Sequence, residues 1–272
     1  GTPFNLLDKY DESEIFTWDY VMEQKAKQTW EEHHFGDPNP YADLPRMQIL
    51  TFTLPKMLRN KAIENNEMFK FHEFFRVWTE EDKTQYQNMI EAETDTLKKA
   101  EYQAKFDEIE VGKFVYEAEI NKFLDKLVEE SDTSCYPFST DEFREHFRHT
   151  FWLLPGVKEA AALEKLLHEH DVFGTESGMF QIINVAGDGN IEDKDGSALT
   201  EVLNNIRGNA QKNITKKDYT ITLSCGKLTT GVSVPEWTAV LCMKGSEHTP
   251  AANYMQTIFR VQTHAVLDGR QK

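Results

Sequence analysis

Apolar residues fall in two rhythms along this chain, and the change comes near residue 139. Residues 56–132 are charged throughout and read as helical. From Glu80 to Lys105 apolar residues are few and i,i+4 charge neighbours many, which predicts a solvated helical stretch. Toward its end Ile120, Phe123, Leu124 and Leu127 recur at helical spacing, giving that segment one buried face. Beyond residue 139 the pattern becomes short apolar runs separated by amphipathic ones. His149 to Leu154, Phe180 to Ala186, Tyr219 to Leu223 and Ala239 to Met243 read as buried strands. Between them, Val157, Ala160, Leu163 and Leu167 share one helical face, as do Ala198, Leu199, Val202, Leu203 and Ile206. Strand–helix alternation at this spacing predicts an α/β fold with a parallel sheet flanked by helices.

Local signals mark the boundaries. Ser139 followed by Glu142 reads as a capping box opening a helix to about Arg148. Thr249-Pro250 reads as the start of a last helix, with proline at its favoured first position. Near the N-terminus, Phe16, Tyr20, Ala26 and Trp30 line one side of a predicted helix, and Gly36 to Pro40 breaks it. Met47 to Leu54 reads as a short strand closed by Pro55. The pattern divides the chain into a linker over 1–55, a charged helical insertion over 56–138 and an α/β lobe over 139–272.

Composition narrows the class. With 272 residues and 39% hydrophobic residues the chain can bury a sizeable core. It contains no run of 18 apolar residues and no basic-then-apolar leader, so no membrane span or signal peptide is predicted. Cys135, Cys225 and Cys242 are widely spaced and form no C-x-x-C pair, which fits a reducing cytosol and argues against disulfides or structural zinc. His33-His34 and His168-Glu169-His170 lack the spacing of a zinc helix, so no metal site is predicted. The net charge of −16 is unfavourable for nucleic-acid binding in bulk. It is uneven, however: residues 1–132 hold 29 acids and 16 bases, whereas residues 133–272 hold 17 acids and 14 bases.

Chemistry in an open α/β sheet gathers at the carboxyl ends of its strands. Three such ends carry glycine turns: Pro155-Gly156, Gly187-Asp188-Gly189, and Ser224 through Pro235. The third, with Thr229, Thr230 and Gly231, brings small and hydroxyl residues to a strand end, where backbone N–H groups can meet a phosphate. A tight turn with no ligand explains the same residues. About 25 residues later, Gln256 and Arg260 share a face of the last predicted helix. A lone arginine on an apolar helix needs a partner, either a nearby carboxylate or a phosphate across an interface.

In order, these segments resemble the motor motifs of superfamily-two helicases. Gly1-Thr2-Pro3-Phe4 resembles the tail of motif III, and Phe151 to Lys158 resembles motif IV. Leu228 to Pro235 (LTTGVSVP) resembles motif V, and Gln256 to Arg260 (QTIFR) resembles motif VI. The pair is most similar to motor subunits of restriction–modification systems, type I R proteins or type III Res proteins. The similarity covers about residues 139–263 and the first four residues. It implies a second RecA-like lobe cut from a larger ATP-dependent DNA translocase. Arg260 would be the arginine finger and Gln256 its positioning partner, with Gly231, Ser233 and Thr2 facing nucleotide. Gly156, Lys158, Gly187, Thr229 and Thr230 would follow the DNA backbone. ATP and Mg²⁺ would be held mainly by the other lobe, with none bound tightly here. Double-stranded DNA and methylase or specificity subunits would be the partners, in the cytoplasm and away from membrane.

The sequence departs from that pattern in places. Ser233 stands where motif V has an acid, Phe259 where motif VI has glycine, and Thr263 where it has a second arginine. No G-x-x-x-x-G-K-[S/T] or DExH segment is present, so this chain by itself is expected not to hydrolyse ATP. Two other classes fit the residues: a non-catalytic α/β module docking a partner through its acidic helical arm, and a flavodoxin-like nucleotide-binding domain.

Overall fold

A computed structural model describes residues 18–49, 71–130, 136–174, 178–187, 193, 196–229, 231–244, 251–264, 266–267 and 270–271. Its centre is a four-stranded, all-parallel sheet: β1 (His149–Leu153), β2 (Gln181–Asn184), β3 (Thr220–Ser224) and β4 (Ala239–Cys242), in the order β2-β3-β1-β4. Phe151 pairs with Thr222 on one side and Val240 on the other. The predicted α/β class holds, and each strand falls within two residues of the ends of its apolar run.

Successive side chains of a strand face opposite ways, so two cores form. On one face Trp152 and Leu154 pack with Ile182, Ile221 and Leu223 against Ala160, Leu163 and Leu167 of the helix following β1. On the other, Phe151 and Ile183 pack with Trp237 against Ala198, Val202 and Ile206 of the helix following β2. That division follows from chain direction. The β1-to-β2 crossover runs toward one edge and the β2-to-β3 crossover returns, and right-handed connections then place their helices on opposite faces.

The helices preceding the sheet are α1 (Tyr20–His33), α2 (Phe71–Phe74), α3 (Glu80–Ala92), α4 (Thr96–Glu108), α5 (Glu117–Val128) and α6 (Asp141–His146). Helix α5 buries Ile120, Leu124 and Leu127, as its spacing predicts. These join Phe74, Phe75, Val77 and Phe114 in the same core as Trp152 and Leu163. Helices α3 and α4 bury no side chain and depend on local devices. Thr79 and Asp82 form a capping box, Asp95 caps α4, and the Lys83 ammonium sits 5.6 Å from the Phe106 ring centroid. Helix α7 (Val157–Glu169) follows β1, α8 (Ser197–Arg207) follows β2, and α9 (Ala251–Ile258) leads into a 3₁₀ turn at Phe259–Gln262.

Two local expectations change. The cap of α6 is Thr140, whose hydroxyl accepts from the Phe143 N–H at 3.2 Å. Ser139 instead donates to the Tyr136 carbonyl at 2.9 Å, so the serine closes the preceding turn. Residues 47–49 are not in a strand, and the rest of the expected strand over Met47 to Leu54 lies outside the described residues. There the Met47 N–H bonds the Tyr20 hydroxyl at 2.7 Å, so the segment folds back on α1. Among the described residues no helix is long and apolar enough to cross a membrane.

Candidate functional site at the carboxyl ends of the strands

Neighbouring strands β1 and β3 send their outgoing connections in opposite directions, so the switch point of the sheet lies between them. Flanking it are Leu154 to Gly156 after β1 and Cys225 to Thr229 after β3. Gly187 lies beyond β3 at the end of β2, and Lys244 follows β4 on the far side. Strand order thus draws Gly156, Gly187 and Thr229, three of the residues expected to follow DNA, along one edge. Lys158 is exposed in the first turn of α7. Thr230 and Thr2 lie outside the described residues.

The turn after β3 is closed by its own carbonyls. Lys244 Nζ donates to the Cys225 carbonyl at 2.9 Å. Thr229 Oγ1 donates to the Gly226 carbonyl at 2.6 Å, and Ser224 Oγ to the Lys227 carbonyl at 2.6 Å. Three consecutive acceptors are therefore each met from inside the protein. Leu228 sits at φ 64°, left-handed for a residue with a branched side chain. The strain costs about 1–2 kcal/mol. Burial of the Leu228 side chain beside Val234 and Trp237 offsets it.

The start of α7 is less open than its sequence indicates. Gly156 caps the helix without a side chain, and a side chain there would collide with the Glu159 carboxylate. Glu159 is the third helical residue, where the helix dipole favours an anion. A phosphate at this helix start would first have to displace that carboxylate. On α3 the Glu81 carboxyl is held below its usual range, first by hydrogen bonds at its helix start and then by the Lys158 charge. At α8 the Asp193 carboxylate accepts the first free N–H groups, Ala198 at 3.1 Å and Leu199 at 2.9 Å.

Arg260 has a partner, and it is neither a carboxylate nor a ligand. Its Nε donates to the Gln256 carbonyl at 3.0 Å and its Nη1 to the Val232 carbonyl. That second bond crosses from the last helix to the loop after β3, between Gly231 and Ser233. The residues expected to carry catalysis (Arg260, Gln256) and to face nucleotide (Gly231, Ser233) therefore come together. Gly231 and Ser233 are exposed, as is Gln256. Gly231 holds φ 72°, and no described heavy atom stands within 4 Å of where a side chain would begin.

Neither described thiol is activated. Burial raises the Cys225 thiol against the pull of Lys244 and Lys227, and burial pushes Cys242 up to about 11. Among the described residues no group of three His, Cys, Asp or Glu side chains could hold a metal. Three charged side chains at this edge receive no role from sequence: Lys227, inside the turn after β3, Lys244 and Glu159. Their roles follow from strand order and reach, which spacing along the chain does not encode.

The chain is similar to a Mycoplasma pneumoniae protein provisionally named as the C-terminus of a type II restriction enzyme and methyltransferase. The two are 32% identical over 271 residues, covering 97% of this chain and 34% of that protein. The chain thus spans about a third of the relative's length. No protein-family model matches the chain. No solved structure matches it either.

Proposed function

We propose that this chain is the DNA-engaging lobe of a restriction–modification polypeptide, built as the second RecA-like lobe of an ATP-dependent translocase. The observation that carries this reading is the bond from Arg260 to Val232, which ties the segment resembling motif VI to the loop resembling motif V. The similarity to a protein named for restriction and methylation supports the system, and the parallel sheet with a glycine-rich carboxyl edge supports the lobe.

In this reading Arg260 is the residue that leaves the chain's surface to stabilise charge. A guanidinium has five N–H donors, so two carbonyl contacts do not exhaust it. The Val232 carbonyl holds it beside Gly231, whose open flank admits an anionic group. Gln256, exposed one turn earlier, positions what Arg260 meets. ATP with Mg²⁺, held by the companion lobe, supplies the phosphoryl group. Gly156, Lys158, Gly187 and Thr229 lie along the backbone of the tracked duplex, and contacts of that kind fix register without reading sequence.

Arg260→Ala in the complete parent protein tests the reading. The expected result is loss of DNA-stimulated ATP hydrolysis by about 10³-fold or more, the usual worth of an arginine finger, with DNA binding retained. Unchanged hydrolysis removes the assignment. A second reading, docking of a methylase or specificity subunit, is favoured by α3. None of its residues is buried, and a shallow groove of about 630 Å³ follows Glu80, Glu81, Thr84, Gln85 and Asn88. Co-purification with that subunit, abolished by Glu80→Lys with Glu81→Lys, is the outcome it requires.

A further inference from the structure

We propose that Lys227 and Lys244 form a two-point phosphate contact for duplex DNA at the switch point, opposed by Glu159. The inference rests on the lobe assignment above and names which side chains meet the backbone. The two amines lie at neighbouring strand ends, Lys227 at the end of β2 and Lys244 at the end of β3. Lys227 Nζ lies 2.9 Å from where a Gly187 side chain would begin, so it spans from the β3 turn to the β2 turn. Lys244 reaches from the end of β4 over the end of β1 to the Cys225 carbonyl at 2.9 Å. Together they bracket the ends of all four strands.

Three features suit this pair to phosphate. A carbonyl partner fixes the Lys244 ammonium without neutralising it, and each ammonium carries three donors. The Cys225, Gly226 and Lys227 carbonyls already have donors, which lessens the backbone acceptor charge facing an approaching anion. Lysine is a compact point charge on a flexible stem, which follows a backbone whatever the sequence. The thiol between them feels both charges, and the carboxylate acting on it alongside them is Glu159. Glu159 covers the start of α7, so it sets a threshold for anion binding at the same edge.

The test is binding of the chain to a fluorescent DNA duplex of arbitrary sequence across a range of sodium chloride concentrations. Lys227→Gln and Lys244→Gln each remove the charge, and glutamine keeps a donor for the Cys225 carbonyl. Each is expected to weaken binding severalfold and to flatten the slope of log affinity against log salt by about 0.9. Arginine at either position restores the slope. Glu159→Gln is expected to tighten binding. If the unaltered chain shows no salt-dependent DNA binding, the lobe assignment fails and takes this inference with it. If it binds, and both glutamine variants keep the full slope, only the lysine pair is overturned. Should Lys244→Gln lower the melting temperature, Lys227→Gln and Glu159→Gln carry the same test.

Discussion

The imidazole of His170 closes helix α7 and reaches Asp125 on α5. Its Nδ1 accepts from the Val172 N–H at 3.1 Å and the Phe173 N–H at 3.4 Å, which leaves the proton on Nε2, 3.4 Å from Asp125 Oδ1. The Asp125 side chain is 71% exposed and that of His170 11%. The contact with Asp125 therefore contributes little, and the two backbone bonds contribute most. Asp125→Ala is expected to change stability by less than about 0.5 kcal/mol. His170→Ala is expected to cost about 1–3 kcal/mol, because it removes the acceptor of two N–H groups. Urea unfolding of both variants decides it; equal effects would contradict the division.

Acid should weaken the fold through His149. Burial lowers its pKa from 6.5 to about 4, with the Lys216 and Arg148 charges acting the same way and Glu236 and Asp218 opposing. Its Nδ1 lies 3.1 Å from Thr220 Oγ1, so the neutral ring is seated between β1 and β3. Below pH 6.5 the unfolded chain takes up a proton that the folded chain refuses until about pH 4. The neutral ring's contribution is thus present above pH 6.5 and is lost as pH falls through that window, at up to about 1.4 kcal/mol per pH unit. The stability gap between wild type and His149→Asn is expected to narrow as pH drops from neutral toward 4. A gap constant with pH would show that His149 does not titrate this way.

Phe138 is the aromatic hub of the larger core. Its ring meets Phe147, Trp152, Phe173 and Phe180 at centroid distances of 6.2, 5.9, 5.3 and 5.4 Å. It is fully buried, and its N–H bonds the Leu127 carbonyl at the end of α5 at 3.0 Å. Phe138→Ala is expected to cost about 3–5 kcal/mol, a large share of a typical domain's stability. Phe138→Leu should cost much less. A calorimetric melt comparing the two tests whether one ring joins helical and sheet-bearing parts; separate transitions in the alanine variant would show that it does.

The strands were legible because each is a short apolar run, and burial on both faces leaves no other use for residues such as Phe151 and Trp152. The turns were legible because Gly187 and Gly231 hold positive φ, which the sequence announces by placing glycine there. Arg260 stood out as an unpaired charge, yet its partners did not, since the carbonyls of Gln256 and Val232 are present at every residue and leave no mark in sequence. Lys227, Lys244 and Glu159 stayed hidden for a different reason. Their placement along one edge depends on strand order and on how far flexible side chains reach. Ser139 and Thr140 are both good caps, so only the backbone path chose between them.

Gly187 offers a test that separates backbone strain from ligand contact. Its φ is 54°, so alanine there costs about 1–2 kcal/mol of conformational strain. The added methyl would stand 2.9 Å from Lys227 Nζ, and the flexible lysine would be displaced rather than the sheet. Gly187→Ala is therefore expected to lower stability modestly and to weaken duplex binding as Lys227→Gln does. In the double variant the stability losses should fall short of a sum, because the clash at Gly187 is with the Lys227 side chain itself. The binding losses should not add, because each removes the same contact. Additive binding losses would mean that Gly187 meets the duplex through its own backbone, independently of Lys227.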